Sequence, residues 1–153
     1  MGFVSGCEFP EGLWYQVEQD VCVQPGPDGT VRIGMTDPAQ TRAGKVLHVH
    51  VREGKRVAAG KSLATVESGK WVGPVPTPFP ALVVASNPRL ADDPAVINQD
   101  PYGEGWLAVL QPEVGPDTWA AWGLVEGPSV SEQYRPKLEA AGIACIRCQD
   151  TAP

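Results

Sequence analysis

Glycine and proline interrupt this chain so often that long regular elements have little room to form. Of 153 residues, 17 are Gly and 16 are Pro, scattered between short apolar runs. Proline removes a backbone donor and glycine weakens a helix interior. The pattern therefore predicts short strands joined by many turns, a mainly β chain with short helices. An apolar share of 42% at this length is enough for one core, with room for an appendage. A net charge of −6 argues against a nucleic-acid partner. No apolar run reaches membrane-spanning length, so no membrane is expected. The start, Met1-Gly2-Phe3-Val4-Ser5-Gly6-Cys7, lacks the basic region and apolar core of a secretory signal. A cytoplasmic location is expected, and with it free thiols at Cys7, Cys22, Cys145 and Cys148 rather than a disulfide framework.

Along the chain, Leu13-Trp14-Tyr15 and Val21-Cys22-Val23 are short strand candidates, and Pro25-Gly26-Pro27-Asp28-Gly29 is a turn. Thr30 to Met35 alternates and returns as a strand. Thr36 or Asp37 can cap a short helix with Pro38 in its first turn, and Gly44 ends it. In Lys45 to Val51 the alternation predicts Leu47, Val49 and Val51 facing the core, with His48 and His50 on the opposite face beside Val46. Two histidines two apart could hold a metal, but no third ligand stands nearby, so they read as solvent-facing polar residues. Ala81 to Ala85 is a buried strand, Asn87 caps a short helix begun by Pro88, and Trp106 to Leu110 is expected as the last core strand.

Between these lies Lys61 to Val66, read as a strand with Leu63 and Thr65 on one side and Ala64 and Val66 on the other. Glu67-Ser68-Gly69-Lys70-Trp71 follows. Gly69 is expected to supply a positive φ for a tight turn. Lys70 would then stand at a hairpin tip with its stem free in solvent, before the run Pro74, Pro76, Pro78 and Pro80.

Past Pro112 the texture changes. A linker with a turn of helix over Pro112 to Trp122 leads to Ser129-Val130-Ser131-Glu132, which has the form of a capping box. Tyr134, Leu138 and Ala141 share one helical face, Pro136 bends the helix, and Gly142 stops it. The expected division is a β domain over 1–112 and a helical extension over 113–153 packed on it, away from Lys70. No paired base and nucleophile or phosphate loop marks a freestanding enzyme. Cys145-x-x-Cys148 leaves open a thiol redox or metal-binding role.

Four segments in order carry a resemblance. Gly34 to Gln40 resembles the G-I-T-x-x-A-Q of the glycine cleavage H-protein family, and Glu67-Ser68-Gly69-Lys70 resembles its E-S-V-K. Asn87 to Asn98 resembles N-x-x-L-x-x-x-P-x-x-I-N, and Asp100 to Trp106 resembles the closing motif unchanged. The resemblance implies a barrel-sandwich hybrid fold and lipoic acid amide-linked to Lys70. Glu67, Ser68 and Gly69 would form the attachment hairpin, Glu67 helping a lipoate ligase to recognise it. It implies a non-catalytic carrier whose tethered arm visits partner enzymes at high effective concentration.

The departures from that family are Gly69-Lys70-Trp71 around the lysine, Pro78-Phe79-Pro80-Ala81 after it, and the long tail. With Glu67 to Pro78 they resemble a branch, the lipoate-binding proteins of the bacterial heterodisulfide-reductase-like sulfur-oxidation system. That branch implies carriage of sulfur intermediates, with the heterodisulfide-reductase-like complex and dihydrolipoamide dehydrogenase as partners. The alternative is glycine cleavage, with glycine decarboxylase components as partners and an aminomethyl group as cargo.

Overall fold

The computed structural model describes residues 2–126 and 129–146. The N-terminal strands β1 (Gly2–Val4) and β2 (Cys7–Phe9) form a small antiparallel hairpin. Then come β3 (Trp14–Gln16), β4 (Val21–Pro25), β5 (Val31–Met35), helix α1 (Asp37–Ala43), β6 (Val46–Val51), β7 (Arg56–Val57), β8 (Ser62–Ser68) and β9 (Val72–Pro76). The chain continues through β10 (Ala81–Ser86), a 3-10 turn at Pro88–Ala91, α2 (Val96–Gln99) and β11 (Ala108–Pro112). A second 3-10 turn (Pro116–Trp122), β12 (Leu124–Glu126) and α3 (Val130–Ala141) complete it.

Seven strands form one sheet in the order β12-β3-β4-β5-β11-β10-β7, and β6-β8-β9 form a second. The sheets do not close into a barrel. They pack as a sandwich, burying Val21, Ile33 and Leu110 of the first with Val46, Val66 and Val75 of the second in one core. Helix α1 and the 3-10 turn at Pro88–Ala91 start where sequence chemistry sets them. Thr36 Oγ1 accepts the Ala39 N–H at 3.3 Å, Pro38 lies in the first turn of α1, and Gly44 (φ 78°) ends it. Asn87 Oδ1 accepts the Arg89 N–H at 3.1 Å, while its amide nitrogen donates to the carbonyls of Glu104 and Trp106, both at 2.8 Å.

Two bulges change the expected faces. The β6–β8 register shifts between Val46 and His48, so Leu47 is the extra residue. Val46 is buried and Leu47, expected in the core, is 45% exposed. The β8–β9 register shifts between Ser62 and Ala64, so Leu63 joins Ala64 and Val66 inside, while Thr65 faces out. His48 and His50 are exposed, and the described residues contain no cluster of three or more His, Cys, Asp or Glu side chains suited to a metal.

Trp106 to Leu110 is not the last sheet strand. The strand there is β11, and β12 adds a further edge by pairing with β3. Between them, Trp119 is buried against Phe79 and Trp14. In α3 the buried face is Val130, Tyr134 and Leu138, spaced by four; Ala141 is exposed. Ser129 makes no side-chain cap, and Glu132 instead receives Arg135 hydrogen bonds at 3.0 and 3.2 Å. Gly142 stops the helix in the left-handed conformation (φ 66°).

This helix lies on a second core built with the chain's N-terminal end, where Phe9 stacks on Tyr134 at 4.5 Å and Val4, Leu13, Tyr15 and Leu138 close in. That packing brings residues 138 apart together, and Cys7 and Cys145 form a disulfide with a Cα–Cα distance of 4.8 Å. The expectation of free thiols, drawn from the expected compartment, fails for this pair, because folding brings the two cysteines within bonding distance. Cys148 lies outside the described residues. Cys22 is a free, buried thiol, and burial pushes its pKa up to about 12. Among the described residues no helix is long and apolar enough to cross a membrane.

Candidate functional site

The β8–β9 hairpin sets the site. Glu67 pairs with Val72, and the Ser68 N–H donates to the Trp71 carbonyl at 2.8 Å, closing a two-residue tip of Gly69 and Lys70. The Ser68 hydroxyl reinforces it, donating to the Trp71 carbonyl and accepting the Lys70 N–H, each at 3.3 Å. Gly69 does not adopt the positive φ expected of it, and an added Cβ would meet nothing within 4 Å. The tip is held by the serine, not by glycine's conformational freedom.

Lys70 is exposed at the tip, and no ion pair among the described residues engages its ammonium. Its stem is not free in solvent, however. A Cβ on Gly44 would lie 2.8 Å from Lys70 Cε, so the aliphatic chain rests on the glycine that ends α1. Gly44, at φ 78° and ψ −170°, occupies a conformation essentially reserved for glycine. From the sequence Gly44 reads only as a helix stop.

Beneath this contact lies Asn98, fully buried on α2. Its Oδ1 accepts the Val46 N–H at 2.8 Å, and its Nδ2 donates to the Gly44 carbonyl at 2.8 Å and to Gln40 Oε1 at 3.1 Å. One side chain thus joins α1, the start of β6 and α2 below the lysine. Its only sequence signal was its place in the Asn87–Asn98 motif.

Across the outer face of the three-stranded sheet, His48, Glu67 and Val72 stand in register, with Leu47 on the bulge beside them. Glu67 is exposed, Ser68 buried, and Val72 63% exposed. On the other side of the tip, Trp71 covers Gly73, leaving no room there for a side chain. Trp71 also borders a cleft of about 350 Å³ with Met35, Ala39, Ala43, Pro74 and Val75 as apolar walls.

Asp20 and Arg42 form the polar rim of this cleft, 3.6 Å apart. Asp20 is held in a left-handed backbone conformation (φ 57°) and also accepts Lys137 Nζ at 2.9 Å and the Tyr134 hydroxyl at 3.1 Å. Burial, reinforced by the Asp20 carboxylate, raises the Tyr134 pKa well above its ordinary value, so the phenol stays a neutral donor. The body of α3 packs on the N-terminal core, but its polar residues reach this rim.

The arrangement holds no paired nucleophile and base. It offers an exposed amine on a hydrogen-bonded hairpin, an acidic neighbour three residues earlier, and an apolar-walled cleft beside it. These features fit a prosthetic group linked to Lys70.

Comparison with known proteins agrees with this geometry. The glycine cleavage H-protein family profile matches residues 13–132. Glycine cleavage system H protein 3 of Aquifex aeolicus is 40% identical over 146 residues, covering 94% of this chain and 91% of the relative. The glycine cleavage system H protein of Mycolicibacterium vanbaalenii is 46% identical over 107 residues, covering 69% and 81%. The crystal structure of a glycine cleavage system H protein from Mycobacterium marinum superposes with a TM-score of 0.68 at 33% identity, covering 88% of this chain and all of that one. Members of this family are non-catalytic carriers with lipoic acid attached covalently to a lysine. The chain belongs to the glycine cleavage H-protein family.

Proposed function

We propose that Lys70 is the lipoyl-bearing residue and that the chain presents this group to partner enzymes as the H protein of a glycine cleavage system. The observation that carries the attachment site is the exposure of Lys70 on a two-residue tip whose backbone is closed by Ser68 and Trp71. When attached, the lipoyl group supplies the dithiol chemistry. The chain's own residues hold the tip rigid, support the lysine stem on Gly44, and offer Glu67 to the modifying enzyme.

The matching family profile and the glycine cleavage H proteins among the relatives support the glycine cleavage role. On that reading the partners are lipoate ligase, glycine decarboxylase components and dihydrolipoamide dehydrogenase. Lipoylation in vitro by a lipoate ligase, followed by peptide mapping, tests the site. One lipoyl mass is expected on Lys70 and none on Lys70→Ala. Modification persisting at Lys61 or Lys55 would overturn the assignment.

A second reading, carriage of sulfur intermediates for a heterodisulfide-reductase-like complex, rests on the sequence alone, on the flank Gly69-Lys70-Trp71 and the long tail. Incubating the lipoylated chain with glycine decarboxylase and glycine separates the readings. An aminomethyl mass on the Lys70 peptide supports glycine cleavage; no loading, with a control H protein loading normally, favours the sulfur carrier.

A further inference from the structure

We infer that the Cys7–Cys145 disulfide is a redox site for dithiols, and that its opening loosens the helix on which Lys70 rests. The bridge joins two segments that both grip α1. On one side, the Glu8 N–H, one residue from Cys7, donates to Asp37 Oδ2 at 2.9 Å at the start of α1. On the other, Ile146, one residue from Cys145, meets the middle of the helix. Its N–H donates to Thr41 Oγ1 at 3.1 Å, and its carbonyl accepts Gln40 Nε2 at 2.9 Å and the Thr41 hydroxyl at 3.1 Å. The end of α1 is Gly44, under the Lys70 stem. Thr41 to Gly44 spans only about 4.5 Å along a helix axis. The covalent link, the strap after α3 and the perch of the lysine are therefore neighbours in one connected structure.

Access to the bridge is one-sided. Cys7 is fully buried, whereas Cys145 is half-buried between exposed Ala144 and Ile146. An attacking thiolate therefore approaches from the Cys145 side. The S–S bond breaks, Cys7 leaves as a thiolate and takes a proton, and a mixed disulfide forms at Cys145. The second thiolate of the dithiol attacks its own sulfur in that mixed disulfide and closes a ring. Cys145 leaves and takes the second proton. Two electrons pass from the dithiol to the cystine, giving two cysteine thiols and one cyclic disulfide.

Without the link, the strap is tied to the body by hydrogen bonds from the Cys145 N–H to the Ser5 carbonyl at 3.0 Å and from Ile146 to α1. Helix α3 has independent anchors in Tyr134, Leu138 and the Lys137 ammonium, which donates to Asp20 Oδ1 at 2.9 Å. Reduction therefore loosens the strap and the side of α1 that it holds, while α1 keeps its Asn98 hydrogen bonds and α3 stays docked.

The test uses the unlipoylated, oxidised full-length chain, so it is independent of the carrier role. The chain is treated with dithiothreitol under native conditions, trapped with N-ethylmaleimide and mapped by peptides. Label is expected at Cys7 and Cys145 while buried Cys22 stays unlabelled. Amide exchange over 37–44 and 143–146 should rise by about tenfold or more, with α3 and the β10–β11 pair changing by less than about twofold. Acetylation of Lys70 relative to Lys61 by dilute acetic anhydride should shift in the same samples. The double variant Cys7→Ser/Cys145→Ser should behave as the reduced chain without reductant; should it not fold, the dithiothreitol-treated chain carries the test. Label at Cys7 and Cys145 appearing only together with Cys22 would make the bridge a static staple and overturn the redox site. Label at both cysteines with unchanged exchange over 37–44 would overturn the coupling.

Discussion

The lysine hairpin and the joined chain ends are built on opposite terms. The hairpin forms from strands adjacent in sequence, and apart from the Lys70 stem on Gly44 its tip is open: nothing lies within 4 Å of a Cβ at Gly69. The ends meet across most of the chain, bury Phe9, Tyr15, Tyr134 and Leu138 in their own core, and add a disulfide. A presented side chain needs a stiff stalk and open surroundings, which short-range pairing provides. A long terminal extension without such anchors would lose the contest with chain entropy, so its apolar stripe must be covered. Between the two regions stands α1, touched by Ile146 on one side and bearing the Lys70 stem on the other.

The largest expected effect falls on the joined ends. Leu138→Ala should cost about 2–5 kcal/mol, the usual range for an aliphatic truncation in a packed core. Calorimetry or chemical denaturation should read that loss, while ligase modification of Lys70 in the still-folded fraction continues. A melting temperature equal to that of the parent would mean that the helix face contributes nothing and would break the contrast.

An intermediate effect is expected where the regions meet. Gly44→Ala places a Cβ in a glycine-only conformation, with a cost of about 1–3 kcal/mol. The same Cβ collides with the Lys70 stem, so modification should slow by more than the stability loss explains. Comparing initial ligase rates with those of an equally destabilised core variant checks this. Equal rates would show that the perch is incidental.

The smallest effect belongs to the tip. Gly69→Val meets open space at a backbone that is not left-handed, so stability should stay within about 0.5 kcal/mol of the parent. Lysine modification should slow only modestly. A large drop in melting temperature would show that the tip depends on glycine after all, and the distinction between a self-sufficient hairpin and dependent ends would weaken.

Much of this architecture is determined by local chemistry that the sequence displays. The turn at Gly69-Lys70, the Thr36 and Asn87 caps, the stops at Gly44 and Gly142, and most of the strands follow from side-chain type and period alone, because each depends on neighbours within a few residues. Tertiary structure decided the rest. The bulges at Leu47 and Leu63 exchange inside for outside, and bulge positions reflect how two sheets fit rather than any residue's preference. The pairing of β12 with β3 likewise joins strands far apart in sequence, and the exposure of Ala141 and the Cys7–Cys145 bridge follow from how α3 docks on the N-terminal strands. The lysine at the tip could be read from its flanks. That its stem rests on Gly44, above Asn98, could not, since those residues are remote in sequence and meet only when the core has formed around them.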